Sequence, residues 1–219
     1  MSPARILFFL KEPRPGAVKT RLAREVGDQA AADLYRAMAE DTLEVLHSLQ
    51  VPVPITVCFA PASAREAVLS WLGPGLDYAA QAGQGLGARM LAAFEQAFAQ
   101  GAGRAVLVGS DLPDLPAGHL ALALDWLSTG PAPVFGPAPD GGYYLAGFTP
   151  QSLTPAAFAD IPMSRPDTLA RTLAALSAQG LQARLLPEHA DLDTLEDLHR
   201  LRASPGARRL RAVLERLGR

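Results

Sequence analysis

The chain is poor in the residues that cross-link or anchor a protein. Its 219 residues include a single cysteine, Cys58, which excludes an internal disulfide and a Cys-x-x-Cys zinc pair. The apolar runs, such as residues 6–10, are too short to cross a bilayer, and the first residues indicate a strand rather than a signal peptide. We therefore expect a cytoplasmic protein without a membrane span.

Positive charge is also scarce. The 20 Lys and Arg residues are outnumbered by 22 Asp and Glu residues, and the net charge of −2 disfavours nucleic acid as a partner. Only two of the 20 are lysines, and both, Lys11 and Lys19, lie in one nine-residue window. A hydrophobic content of 49% excludes a disordered chain and fits one domain over residues 1–219, while the oligomeric state stays open.

Short apolar runs alternate with longer amphipathic patterns along the chain. The apolar runs predict strands over residues 6–10, 54–60, 105–109, 132–136 and 143–148. The amphipathic patterns predict helices over residues 28–49, 62–72, 86–100, 117–128, 166–179 and 194–217, with Asp28 capping the first and residues 204–206 interrupting the last. This alternation predicts an α/β fold with a mixed, mostly parallel sheet and helices on both faces. Ligands of such sheets bind beyond the carboxyl ends of the strands.

Basic and turn-forming residues cluster just after the first predicted strand. They are Lys11, Arg14, Gly16, Lys19, Thr20 and Arg21. Several cations, a glycine that permits close approach and a helix start near Thr20 together suit a phosphate or pyrophosphate group. The segment is not a Walker A loop, because Pro13 and Val18 stand where that loop needs glycines. A solvated polar loop is the alternative.

A glycine-rich segment opens the helix predicted over residues 86–100. Gln84, Gly85, Leu86 and Gly87 suit close contact with a nucleotide base or a phosphate. The segment loosely matches the dinucleotide-binding fingerprint, but no acidic residue ends a strand about 20 residues later. A dinucleotide site and a plain turn stay open as alternatives.

Asp111 stands where an apolar strand ends. A carboxylate in this position can reach a divalent cation that also holds ligand phosphates. The alternative is a turn or helix-cap aspartate, which suits Asp114 better, since it lies nearer the next predicted helix.

A second acidic stretch occupies residues 191–197. Thr194, with Asp197 three residues later, predicts a helix cap. Two more acids precede this cap and would repel each other without a cation, so Asp193 is the candidate second metal ligand. Two hard carboxylates suit Mg²⁺ or Mn²⁺, and we expect the carboxyl groups of Asp111 and Asp193 to lie about 4–7 Å apart.

A Pro-Asp-Gly turn signal joins the last two predicted strands. The signal favours a hairpin and thus an antiparallel portion of the sheet. For the residues of this turn, a purely structural role and a role in a binding site are equally well supported. The four histidines share no ligand spacing and, like Cys58, are interpreted as structural.

Five segments, taken in order, resemble a known family. They are FFLKEPRPGAVKTRL, GQGLGARM, GSDLPDL, DGGYYLAGF and DLDTLEDL, and they span residues 8–198. They resemble the bacterial nucleotide-diphospho-sugar transferase-like family of small GT-A-fold proteins, which is similar to 2-phospho-lactate guanylyltransferase. The resemblance implies a Rossmann-like GT-A fold.

The resemblance also implies a role for each segment. The nucleotide would lie over residues 11–22, with its base near residues 84–87 and with Ser110 among its contacts. Lys19 and Arg21 would hold phosphate oxygens, and a Mg²⁺ or Mn²⁺ ion would sit on Asp111 and Asp193. The acceptor would face Asp140, Gly141, Gly142, Tyr143 and Tyr144. Catalysis would depend on Lys19, Asp111 and Asp140.

We therefore expect a metal-dependent transferase with a nucleotide-diphospho-sugar donor and a small-molecule acceptor. Typical sugar transferases of this fold carry Asp-x-Asp, where this chain has Ser110-Asp111-Leu112-Pro113. Transfer of a nucleotidyl group from a nucleoside triphosphate to a phosphorylated small molecule is thus an alternative. A non-catalytic nucleotide-binding module is another.

Overall fold

A computed structural model describes residues 3–200 and 206–218. The strands are Ala4–Lys11 (β1), Ile55–Ala60 (β2), Asp77–Ala80 (β3), Arg104–Val108 (β4), Val134–Pro137 (β5), Tyr143–Phe148 (β6) and Arg184–Leu185 (β7). The α-helices are Thr20–Val26 (α1), Asp28–His47 (α2), Arg65–Leu72 (α3), Leu86–Ala99 (α4), Ala117–Thr129 (α5), Thr168–Ala178 (α6), Leu195–Arg200 (α7) and Arg208–Arg216 (α8). Residues 204 and 205 of the predicted helix interruption lie outside the described residues.

The strands of the described chain form one sheet in the order β3-β2-β1-β4-β6-β5-β7. β1 pairs in parallel with β2 and β4, whereas β6 runs antiparallel to both β4 and β5. The predicted α/β fold with a mixed, mostly parallel sheet is therefore confirmed. The assignment of residues 1–219 to one domain stays a prediction.

Apolar side chains cover both faces of the sheet, which explains the continuous apolar run in β1. Phe8 and Leu10 pack towards α2, α3 and α5, while Leu7 and Phe9 pack towards α4 and α6. Each fully buried side chain of this size contributes about 1.5–3 kcal/mol to folding. None of the described helices is both long and apolar enough to cross a membrane.

Several local predictions differ from the structure. β3 and β7 were not predicted, because both are short sheet edges with exposed positions and lack a continuous apolar run. The predicted cap at Asp28 is wrong: Gly27, with φ 84°, holds the N-cap position and Asp28 is the first helical residue. Residues 62–64 of the helix predicted over residues 62–72 form a 3₁₀ turn ahead of α3.

Candidate functional site

The carboxyl ends of β1 and β4 meet at one edge of the sheet, and a cleft of about 450 Å³ opens there. One part of its wall is charged, with Lys11, Asp111, Asp140, Asp191 and Asp193. Another part is apolar, with Phe9, Leu86, Met90, Tyr143 and Met163. The cleft thus lies where the ligands of parallel α/β sheets bind.

Three oxygens beside the cleft converge on the ammonium group of Lys19. Its Nζ lies 2.8 Å from Asp111 Oδ2 and 2.6 Å from Asp193 Oδ1. It also donates a hydrogen bond of 2.5 Å to the backbone oxygen of Leu192. An ammonium has three N–H donors, so each of them has an oxygen partner.

The two carboxylates are close because they share this cation. Their oxygens can lie no more than about 5.4 Å apart, the sum of the distances from Lys19 Nζ to Asp111 and to Asp193. The predicted proximity of the two carboxyl groups is therefore confirmed. The cation between them is the Lys19 ammonium, where sequence reasoning had expected a metal ion.

Lys19 has a buried side chain and an unusual backbone conformation. Only 5% of its side chain is exposed. Burial lowers the pKa of the ammonium, but the charges of Asp111 and Asp193 and their hydrogen bonds outweigh burial, so the pKa is raised. Its backbone adopts the left-handed conformation, with φ 44° and ψ 47°, at the N-cap of α1. A residue other than glycine keeps this conformation only where its surroundings enforce it.

Asp193 reaches the site on a segment that crosses the sheet edge, residues 186–193, here called the strap. Three backbone hydrogen bonds hold it: Leu186 N–H to Phe135 O (2.8 Å), His189 N–H to Pro137 O (3.0 Å) and Leu192 N–H to Asp111 O (3.3 Å). The last bond joins the strap directly to the residue that provides the other carboxylate.

The helix cap that follows the strap is confirmed. The Thr194 hydroxyl donates to Asp197 Oδ2 (2.7 Å), and the Asp197 N–H donates to the Thr194 hydroxyl (3.2 Å). Asp197 Oδ2 also accepts a hydrogen bond from the Asp193 N–H at 3.0 Å. The cap therefore helps to fix the backbone of Asp193.

The residues on either side of Asp111 contact buried polar side chains. The hydroxyl of Ser110 lies 2.9 Å from the hydroxyl of Tyr35, which accepts a bond from the Lys11 N–H at 2.8 Å. The Leu112 N–H donates to Thr42 at 3.2 Å. Ser110 was predicted to contact the nucleotide, and the structure places its side chain inside the protein. Sequence reasoning missed Tyr35, since an aromatic residue in an amphipathic helix indicates only packing.

The other predicted phosphate-binding residues keep exposed positions. Lys11 lines the cleft, and Gly16 and Thr20 are exposed. Arg21 has a side chain that is 78% exposed, and its guanidinium lies 3.7 Å from Asp193 Oδ2. These groups remain accessible to an anionic ligand.

In the glycine-rich segment, Gly85 and Gly87 are required for different reasons. Gly85 is exposed at the N-cap of α4 with φ 82°, a conformation that other residues rarely adopt. Gly87 is buried, and a Cβ there would lie 2.9 Å from the backbone oxygen of Phe158. Gln84 is exposed, and Leu86 is 45% exposed at the cleft wall.

The turn between β5 and β6 brings part of the predicted acceptor segment to the cleft. Asp140 Oδ1 accepts a hydrogen bond of 2.8 Å from the Gly142 N–H, and both residues line the cleft. Gly141 has φ 84°, and a Cβ there would lie 1.9 Å from the oxygen of Pro166. The turn therefore requires glycine for packing.

The two tyrosines of β6 point to opposite faces of the sheet. Tyr143 packs on the α4 side, where its hydroxyl lies 3.9 Å from the sulfur of Met90 and 3.7 Å from that of Met163. Tyr144 packs in the core on the α5 side, and its hydroxyl lies 2.9 Å from His119 Nδ1 and donates to the Pro187 oxygen at 3.1 Å. The Tyr144 hydroxyl therefore contacts the strap through the Pro187 oxygen.

Two acidic residues have surroundings that the sequence does not indicate. Asp191 is half-buried in the cleft wall, and burial, followed by the charge of Asp193, raises the pKa of its carboxyl. Asp114 was predicted as a turn or cap residue; it lies in a turn, but its Oδ1 is 3.2 Å from Nε2 of His189 in the strap. Asp114 and His189 are 75 residues apart, and local sequence patterns contain no signal for a contact over that distance in the chain.

Hard oxygen ligands are available at the position of the Lys19 ammonium. Asp111 and Asp193 provide carboxylates, and Leu192 provides a backbone oxygen, a set that suits Mg²⁺ or Mn²⁺. Among the described residues, no group of three or more His, Cys, Asp or Glu side chains is placed to hold a metal ion. The metal site therefore stays a prediction.

Solved structures with the same fold include one that is similar in sequence. A candidate nucleotide-diphospho-sugar transferase from Desulfovibrio desulfuricans G20 is 38% identical, with a TM-score of 0.88, over 99% of this chain and 97% of that one. A CMP:2-keto-3-deoxy-manno-octonic acid synthetase complexed with CTP is 14% identical (TM-score 0.56; 92% and 98% coverage). The Rv0371c protein of Mycobacterium tuberculosis H37Rv, in complex with manganese, is 15% identical (TM-score 0.52; 92% and 98%).

These similarities confirm the predicted resemblance and the Rossmann-like fold. At such low identity, the second and third structures show the fold alone. A search of curated proteins finds no significant sequence match. Residues 42–165 match a bacterial family described as an uncharacterized protein conserved in bacteria. Because this match spans more than half of the 219 residues, the chain belongs to the DUF2064 family of proteins conserved in bacteria.

Proposed function

We propose that this protein is a transferase that takes a nucleotide-diphospho-sugar as donor, with a divalent metal ion. The observation that carries the proposal is the convergence of Asp111, Asp193 and the Leu192 oxygen on one cation beside the cleft. A diphosphate needs a cation to neutralise it, and this position offers hard oxygens for one. The Desulfovibrio relative, described as a candidate transferase of this class, supports the same donor.

Asp111 and Asp193 are the residues that would hold the metal ion. A Mg²⁺ or Mn²⁺ ion bound there would neutralise charge on the donor phosphates as the leaving group forms. The manganese complex of the M. tuberculosis protein supports this choice of ion, although that protein shares only the fold. Hydrogen bonds of the strap and of the loop after β4 fix the backbone that carries both carboxylates.

The chain's own cations would bind the phosphates. Lys11 lines the cleft and Arg21 is exposed, so each can form charge-assisted hydrogen bonds with a phosphate oxygen. Gly85 leaves the start of α4 open to close approach by the nucleotide, and Leu86 offers an apolar contact for its base.

Asp140 is the candidate base for an acceptor hydroxyl. Its Oδ1 accepts the Gly142 N–H, a bond that fixes the carboxylate at the rim of the cleft. Accepting the acceptor's proton as the new bond forms would make the hydroxyl a better nucleophile. Tyr143 lies on the apolar side of the same cleft, where its side chain can contact the acceptor.

One observation favours nucleotidyl transfer as a second candidate. Typical sugar transferases of this fold carry Asp-x-Asp, whereas the segment after β4 places Asp111 in the cleft wall and has Pro113 where a second carboxylate would follow. The second carboxylate comes from the strap instead. In nucleotidyl transfer the acceptor is itself a phosphate and requires no base, and the leaving group is pyrophosphate.

Product analysis separates these candidates. Nucleoside triphosphates and nucleotide-sugars are first screened with Mg²⁺ or Mn²⁺ for thermal stabilisation, which is about 2.7 kcal/mol at 100 times the Kd. The stabilising nucleotide is then incubated with candidate acceptors and followed by ³¹P NMR. Release of a nucleoside diphosphate supports sugar transfer, and release of pyrophosphate supports nucleotidyl transfer.

Matched variants test the site itself. Asp111→Asn should abolish metal-dependent stabilisation by the nucleotide, whereas Asp125→Asn, on the exposed face of α5, should leave it intact. Stabilisation without either product, across all donors and acceptors, would indicate a non-catalytic nucleotide-binding module. Equal stabilisation of the parent and Asp111→Asn would contradict the proposed site.

A further inference from the structure

Lys19 already occupies the position that a bound cation would take. Its ammonium contacts the oxygens of Asp111, Asp193 and Leu192 at 2.5–2.8 Å. These are the oxygens that fit a divalent cation, whose ligand distances are about 2.0–2.6 Å. The same oxygens cannot hold the Lys19 ammonium and a divalent cation together, since the two positive charges would repel each other in close contact.

We propose that Asp111 and Asp193 form a cation-exchange site in which Lys19 is the resident cation and a divalent cation displaces it into the cleft. The inference rests on the proposed function, because it assigns the incoming cation to the donor-binding reaction. The displaced ammonium then faces the donor phosphates. Metal binding and phosphate binding are thereby coupled through one side chain.

The composition of the chain supports a selected role for lysine at this position. Arginine provides all but two of the 20 basic residues, so lysine is the exception. An ammonium is a compact point charge with three donors, whereas a guanidinium is planar and presents its donors in a fork. Only the ammonium can stand in for a metal ion among three converging oxygens.

The backbone of Lys19 is consistent with a side chain that is held and then released. Its left-handed conformation is unfavourable for a lysine and is maintained by contacts with the surrounding residues. The ion pairs to Asp111 and Asp193 are part of those surroundings. Their loss allows the residue to leave this conformation and the side chain to turn outwards.

The rarity of lysine gives a direct test. Reductive methylation with ¹³C-formaldehyde modifies only Lys11, Lys19 and the terminal amine, and peptide mass spectrometry resolves the sites. Without divalent cation, the buried Lys19 should react at least tenfold more slowly than the exposed Lys11. Addition of Mg²⁺, alone or with inorganic pyrophosphate, should raise the Lys19 rate at least tenfold, and it should not raise that of Lys11.

A second measurement addresses affinity. Lys19→Met removes the resident cation, so its affinity for Mn²⁺ in isothermal titration calorimetry should be at least tenfold higher than that of the parent. Lys11→Met is the matched control, because it removes the other lysine of the cleft without touching the carboxylates; its affinity should stay within twofold of the parent. If Lys19→Met does not fold, the methylation experiment on the parent decides.

The outcomes separate the two proposals. If Mn²⁺ binds through Asp111 but Lys19 stays protected, the exchange is wrong and the metal-dependent transferase stands. An Mn²⁺ affinity of Lys19→Met that is equal to or weaker than the parent's also overturns the exchange. If neither the parent nor Lys19→Met binds a divalent cation, the exchange and the metal dependence of the proposed function both fail.

Discussion

Replacement of Asp111 by Asn should destabilise the metal-free protein, although it removes a negative charge from an acidic cleft. From the sequence, one expects two acids that repel each other, and hence relief on substitution. In the structure, Lys19 lies between them, with its Nζ 2.8 Å from Asp111 and only 5% of its side chain exposed. The substitution therefore removes a partner from a buried cation.

The magnitude follows from the burial of the pair. Removing one partner of a fully buried ion pair costs about 3–5 kcal/mol. Asp111 is 30% exposed and Lys19 keeps Asp193 and the Leu192 oxygen, so we expect about 1–2 kcal/mol. For a domain of this size, that corresponds to a decrease in Tm of about 2–8 °C.

Asp191→Asn should change stability in the opposite direction. Burial raises the pKa of the Asp191 carboxyl above its value in the unfolded chain, so its ionised form destabilises the folded protein near neutral pH. This penalty shrinks as the pH falls through the raised pKa, and it is gone below the pKa of the same carboxyl in the unfolded chain. The variant should thus melt higher than the parent at pH 7, and the difference should shrink under acidic conditions.

Thermal unfolding with a chelator present, followed by circular dichroism at pH 7 and at lower pH, tests both variants. Asp125→Asn is the control for a charge removed from an exposed helix face. An Asp111→Asn variant that melts higher than the parent would refute the view that Lys19 compensates this carboxylate.

Three further predictions, one of them with a matched control variant, test the remaining parts of the site. Lys11→Met should weaken nucleotide binding by about 1.5–3 kcal/mol, measured by calorimetry, with an unchanged Tm since its side chain is exposed; an unchanged affinity would remove Lys11 from the phosphate site. Gly141→Ala should destabilise by about 2 kcal/mol or more in urea unfolding, because its Cβ would lie 1.9 Å from the Pro166 oxygen at φ 84°. Gly142→Ala, whose Cβ would lie nearest to the Asp140 side chain at 3.1 Å, should cost less, and equal losses would contradict this packing argument. His189→Ala breaks the link to Asp114 and should weaken metal-dependent nucleotide binding several-fold, whereas retained affinity would show that the strap holds without it.

Local patterns in the sequence were sufficient for the general architecture. The apolar run in β1 indicated a strand buried on both faces, because every residue of such a strand contacts a core layer. Thr194 and Asp197 indicated their helix cap, since that pattern depends on residues three apart. The order of five short motifs was enough to indicate the family.

Only the tertiary structure could determine what each polar group contacts. Lys19 pairs with Asp193, 174 residues away, and that pairing depends on the strap crossing the sheet edge next to β4. The same holds for Tyr143 and Tyr144, which are adjacent in sequence but packed on opposite faces of the sheet.

The physical reason is the range of the interactions involved. Periodicity, turn chemistry and capping act over a few residues, so they can be read from the chain itself. Charges and hydrogen bonds act over a few ångströms of space, and the residues they join are set by the strand order β1-β4-β6 and by the path of the strap. The sequence therefore indicated acids and lysines at one sheet edge, and the fold decided that the Lys19 ammonium lies between the carboxylates of Asp111 and Asp193.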